Sequence, residues 1–127
     1  MPKTVIRSER APAPVAAYSQ AVKAGGFLFL SGQIAIDPST GVLVKAGIEA
    51  ETRQVLENLK AVLEAGGASL ADVVKITAYL SDMRYFAAFN AVYVTYFRDE
   101  PPARATVAVS GLPRGVCVEL DATAFVG

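Results

Sequence analysis

Arg104 is the residue whose surroundings most demand a chemical explanation. It follows Pro101-Pro102-Ala103 and stands between two alanines in an otherwise apolar run. A guanidinium placed there needs a partner, because desolvating it unpaired is costly. Its planar fork matches a carboxylate through two parallel hydrogen bonds, which a lysine would not reproduce. Two readings fit. Arg104 either grips a small carboxylate ligand or forms a structural ion pair with Glu119 or Asp121 within the sheet. Pattern alone leaves the structural pair ahead.

Glu119 sits in a second apolar run, Val118-Glu119-Leu120-Asp121-Ala122. Burial there would raise its pKa and suit it to orienting or deprotonating a water. The plainer reading makes it the partner of Arg104. Cys117 lacks an activating base, since the chain contains no histidine, and valines flank it on both sides. It reads as an inert buried thiol. The missing histidine also removes His-based triads, His general bases and most catalytic zinc sites. Ser31-Gly32 lacks the preceding glycine and the base of a nucleophile turn. Its backbone N–H groups could instead hold an oxygen. The glycine pairs Gly25-Gly26 and Gly66-Gly67 do not have the Lys and Ser/Thr spacing of a phosphate loop.

The elements that must position these residues are legible. The runs 21–24 and 27–30 flank Gly25-Gly26 as a hairpin, and Asp37-Pro38-Ser39-Thr40-Gly41 supplies a turn. Ile48, Thr52, Val55, Leu56, Leu59, Val62 and Leu63 recur at helical spacing, with Glu51, Arg53, Glu57, Lys60 and Glu64 mostly outside the stripe. Gly66-Gly67 ends that helix. Residues 73–80 alternate as a strand, with Val74, Ile76, Ala78 and Leu80 on one face. A second helix begins near Ser81-Asp82, carries the aromatic stripe Phe86, Phe89, Tyr93, Tyr96 and Phe97 as core packing, and stops at Pro101-Pro102.

Two strands close the chain. In 103–109, Arg104 and Thr106 share a face opposite Ala105, Val107 and Val109. In 116–126, Glu119 and Asp121 share a face with Cys117, Thr123 and Phe125. Two helices cover only one face of such a sheet. The other face, assigned Tyr79, Thr77, Ala108, Cys117 and Phe125, is too apolar to stay wet, so closed self-association is expected.

Bulk properties bound the function. At 127 residues the chain has the size of one domain, 1–127, with 53% hydrophobic residues for a core. Twelve basic residues balance twelve acidic ones, which argues against a broad nucleic-acid footprint. The segment 3–10 reads as an ordinary exposed N-terminal stretch. One cysteine, no signal-like apolar run and no membrane-length segment point to a cytoplasmic protein without a membrane role.

Taken together, Tyr18-Ser19-Gln20, Ser31-Gly32-Gln33-Ile34 with Asp37-Pro38 and Thr40-Gly41, residues 54–63, Asn90, Pro102-Ala103-Arg104, Leu112-Pro113 and Glu119-Leu120-Asp121-Ala122 resemble the signature of the reactive intermediate deaminase (RidA, or YjgF) family. The resemblance runs in order over nearly the whole chain. It implies an α+β, chorismate-mutase-like (bacillar) fold, a single sheet with two helices packed on one face, assembled as a homotrimer with ligand sites between subunits. It also implies hydrolysis of 2-imino acids such as 2-iminobutanoate and 2-iminopropanoate, and of their enamine tautomers, to 2-keto acids and ammonia. These substrates come from pyridoxal-phosphate dehydratases, and no metal or cofactor takes part.

The resemblance assigns Arg104 to the substrate carboxylate, Glu119 to the attacking water, Tyr18 to closing the cleft and Ser31-Gly32 to backbone contacts, with Asn90 a recurrent site position. Two features depart from the family. Thr106 stands where many members have cysteine, and Ala16-Ala17 replace a Gly-Pro before the tyrosine. These departures leave open a relative specialised for another imine, such as an aminoacrylate derivative. A carboxylate-binding or regulatory module with little catalysis is the third reading. Family members have also been linked to RNA cleavage, for which this neutral chain is poorly suited.

Overall fold

A computed structural model describes residues 2–127. The chain runs β1 (Thr4–Ile6), β2 (Ala21–Ala24), β3 (Phe27–Gln33), β4 (Ile36–Asp37), β5 (Val42–Leu43), α1 (Ile48–Ala65), β6 (Val73–Leu80), α2 (Phe86–Tyr96), β7 (Ala103–Ala108) and β8 (Val118–Phe125). Six strands form one sheet in the order β1-β2-β3-β8-β6-β7, while β4 and β5 make a separate ribbon. Every pairing in the large sheet is antiparallel except β6 with β7, which α2 connects. An α+β sheet with two helices is therefore what forms.

The core lies between the helices and one face of this sheet. Val55, Leu56, Leu59, Val62 and Leu63 of α1 meet Leu28, Ile76, Ala78, Leu80, Val118, Leu120 and Ala124, all essentially inaccessible. Gly66 receives the end of α1, its N–H donating to Val62 and Leu63 carbonyls. A Cβ at Gly66 would collide with Leu28 Cδ2, so a side-chain-free residue is also a packing requirement there. The Asp82 carboxylate accepts the Arg84 N–H at 2.9 Å and caps a short 3-10 turn, Met83–Tyr85, that leads into α2.

Four expectations need correction. The N-terminal stretch is not merely an exposed segment, because β1 extends the sheet by pairing Val5 with Val22. A register shift between Val73 and Lys75 turns Val73 inward and leaves Val74 outside. Ala108 pairs with Leu80, so it lies on the helix side of the sheet rather than on the open face. Glu51, placed outside the apolar stripe, is buried and accepts the Cys117 N–H at 3.1 Å. The open face carries Phe27, Phe29, Phe125 and Val107, each at least 40% exposed, around Tyr79 and Thr77.

Candidate functional site: two half-sites on opposite faces of the sheet

Strand register decides where Arg104 and Glu119 point. Arg104 pairs with Ile76, a core residue, so its side chain rises on the helix side of β7. Glu119 pairs with Tyr79, three residues further along β6, and therefore leaves the opposite face. Asp121, paired with Thr77, faces the same way as Glu119. The ion pair between strands considered for Arg104 is thus geometrically excluded, and the ion pairs among the described residues are Arg10–Glu64 and Arg84–Asp82.

What Arg104 meets instead is α2. Its Nη1 donates to Asn90 Oδ1 at 2.8 Å. Its guanidinium carbon lies 4.6 Å from the centroid of Tyr93, 5.5 Å from Phe86 and 5.8 Å from Phe89. The aromatic stripe is therefore more than core packing: its rings stack in sequence and present faces to the cation. Burial pushes the Tyr93 hydroxyl pKa up, with the Arg104 charge working against it. The hydroxyls of Tyr93 and Thr106 are buried without hydrogen-bond partners. Both lie on the Arg104 side of the sheet, Tyr93 beneath the guanidinium and Thr106 two residues along the same face of β7.

The second half-site is a cleft of about 580 Å³ lined by Tyr18, Ser31, Gly32, Glu119 and Arg114 among others. A bulge creates it. The β3–β8 register shifts between Leu30 and Gln33, so Ser31 and Gly32 leave the regular ladder beside Glu119. Gly32 lies so close that an added Cβ would meet Glu119 Oε2. Glu119 is half-buried, and its pKa is raised by desolvation and, secondarily, by the Asp121 charge.

Buried Gln20 holds the segment that walls the cleft. Its amide donates to the Ser8 and Pro12 carbonyls at 3.0 and 2.9 Å and accepts the Ser8 N–H. From below, Asn58 donates to the carbonyls of Ile34 and Ile36. Ser31 has its N–H given to the Gln20 carbonyl and its hydroxyl to the Ser19 carbonyl, both inside the protein. Tyr18 is 47% exposed at the wall.

The expected site residues therefore fall into two sets. Arg104, Asn90 and Thr106 assemble on the helix side at the β7 edge. Tyr18, Ser31, Gly32 and Glu119 assemble in the cleft. Sequence reasoning missed Arg114 and the ring platform under Arg104. The platform had a signal, since Phe86, Phe89, Asn90 and Tyr93 recur three and four apart before an arginine strand. Arg114 had none, because an exposed turn residue carries no periodicity.

No helix of the described residues is long and apolar enough to cross a membrane, and no group of three or more His, Cys, Asp or Glu among them could hold a metal ion. A sheet backed by two helices on one face, with a bulge-built cleft on the other, defines the α+β class of this chain. A family model described as Endoribonuclease L-PSP matches residues 8–126. A RutC family protein of Pyrococcus horikoshii is 57% identical over 97% of this chain and 98% of its own. The 2-iminobutanoate/2-iminopropanoate deaminase of Mus musculus is 44% identical over 98% of this chain and 93% of its own. The crystal structure of RidA from the Antarctic bacterium Psychrobacter sp. superposes with a TM-score of 0.93 at 44% identity, covering 97% of this chain and 99% of that one. The chain belongs to the RidA/YjgF family.

Proposed function

We propose that this protein hydrolyses reactive 2-imino acids and their enamine tautomers, 2-iminobutanoate and 2-iminopropanoate among them, to 2-keto acids and ammonia. The observation that carries the reading is that one chain presents both a guanidinium oriented by Asn90 and, on the other face, a half-buried carboxylate beside the Gly32 bulge whose pKa is raised. The family's mammalian deaminases, 43–44% identical, support the choice of substrate.

Arg104 holds the substrate carboxylate with the donors that Asn90 leaves free. Glu119 takes a proton from water as the water oxygen bonds to C2, and the C=N pair moves onto nitrogen. That proton passes to the nitrogen, and the hydroxyl proton then moves to the same nitrogen as the C–N bond breaks, so the keto C=O forms and ammonia leaves. One water is consumed for each ammonia released. Imines hydrolyse unaided, so positioning and polarisation suffice without covalent catalysis.

Opposite faces of one sheet cannot offer both groups to one small molecule. The complete site then requires a second copy, whose Arg104 edge meets the cleft of its neighbour. A closed trimer satisfies this and covers the apolar open face. Adding protein to a threonine dehydratase reaction should speed keto-acid release, and Arg104→Ala should abolish the effect. Equal rates for wild type and Arg104→Ala would defeat the deaminase reading and leave a non-catalytic carboxylate-binding module.

A further inference from the structure

We propose that Arg114 is a specificity-determining residue of the cleft, admitting 2-imino acids that carry a second carboxylate on their side chain. This deepens the deaminase reading and rests on it. Arg114 is the one cation among the described residues lining the cleft that holds Glu119. It is not consumed by that acid: neither ion pair among the described residues involves it. Its backbone sits at φ 57, ψ 19, the left-handed region that a non-glycine residue occupies at a cost. The turn Pro113–Gly115 holds it there, with the Gly115 N–H donating to the Leu112 carbonyl.

A four-carbon imino acid, at the liquid-water allowance of about 30 Å³ per non-hydrogen atom, fills roughly 200 Å³. The cleft of a single chain measures about 580 Å³, part of which the neighbouring copy's edge takes up. Size therefore does not oppose a longer side chain, and the free guanidinium sets what that side chain should carry. Arg114 also borders an adjoining groove with Lys45, whose positive charge reinforces the preference. Glu51 in that groove has its carboxylate turned to the Cys117 N–H. With the neighbouring copy's Arg104 taking the 2-carboxylate, Arg114 would take the distal one. The favoured substrates are then imines of acidic amino acids.

Titration calorimetry with pyruvate and 2-oxoglutarate tests this on the full-length protein. Wild type should bind 2-oxoglutarate more tightly. Arg114→Gln should weaken 2-oxoglutarate roughly tenfold, the worth of one charge-assisted contact, and change pyruvate less than about twofold. Arg114→Lys should retain part of the preference. Equal losses for both ligands, or no loss for either, would overturn the assignment. Arg104→Ala separates the two readings. If it binds both keto acids as wild type does, the deaminase reading itself fails. If it loses both while Arg114→Gln does not discriminate, only the role of Arg114 fails. Turnover of imines generated from alanine and glutamate by an amino-acid oxidase should follow the same order in kcat/KM, and the opposite order would contradict it.

Discussion

The two half-sites are built on different principles. Arg104 stands on an aromatic platform, with three rings beneath it and Asn90 fixing one edge of its fork. Glu119 stands in an open cleft, where Gly32 leaves just enough space for its carboxylate. The first orients a charge through side-chain contacts from a neighbouring helix. The second raises the pKa of a charge by partial desolvation beside a bulge. A binding group benefits from rigidity, whereas a group that exchanges protons must keep its proton affinity near the working range. Substitutions should therefore act differently on the two sides.

The largest effect is expected from Arg104→Ala, which removes the guanidinium fork proposed to hold the substrate carboxylate. Its kcat/KM should fall at least about a hundredfold, in line with loss of a charge-assisted bidentate contact. Arg104→Lys should recover little of this, because a point charge does not reproduce the fork.

Glu119→Gln should lower kcat by roughly a hundredfold, the usual contribution of a positioned base, while keto-acid binding holds. Its effect on stability has the opposite sign from that of an ordinary paired carboxylate. Because folding raises the Glu119 pKa, its stabilising contribution is present below the unfolded pKa and is lost as pH rises through the folded one. Melting at neutral pH should thus be unchanged or higher in Glu119→Gln. For wild type, the acid limb of kcat should lie above the ordinary carboxylate range of about 4.3. A limb at or below that range would remove Glu119 as the base.

Two glycines give a matched pair of perturbations. Gly32→Ala pushes a Cβ against the flexible end of Glu119, so kcat should drop about tenfold with little change in Tm. Gly66→Ala pushes against Leu28 in the core and should cost about 1–3 kcal/mol of stability, read by denaturant unfolding, with kcat retained. The smallest effect is expected from Asn90→Ala, a few-fold rise in KM with kcat nearly constant, because the rings still hold Arg104. Loss of kcat without change in KM would show that Asn90 acts in the chemical step instead.

Much of the fold was legible from residues whose local chemistry and tertiary role agree. Gly25-Gly26 turns the β2–β3 hairpin, the Val55–Leu63 stripe buries one face of α1, and Gly66 ends it. β1 escaped because a three-residue edge strand with two exposed residues carries too little burial pattern to read. Val73–Val74 was assigned to the wrong faces because a bulge is a pairing event, invisible in one strand alone. The site residues were identifiable by type, but their division between faces was not. Arg104 and Glu119 each alternate correctly within their own strands. Only the register of β6 with both neighbours reveals that the two side chains diverge.

That divergence makes subunit sharing the central claim, and mixing two inactive variants tests it directly. Arg104→Ala and Glu119→Ala chains, unfolded together and reassembled, should recover activity, because some interfaces then pair an intact Arg104 edge with an intact Glu119 cleft. With random assembly into a closed ring, about one quarter of the sites should be complete. Recovery to roughly that fraction of wild-type turnover is the expected result. A mixture that reassembles into the same oligomer yet stays as inactive as either variant alone would contradict the shared site.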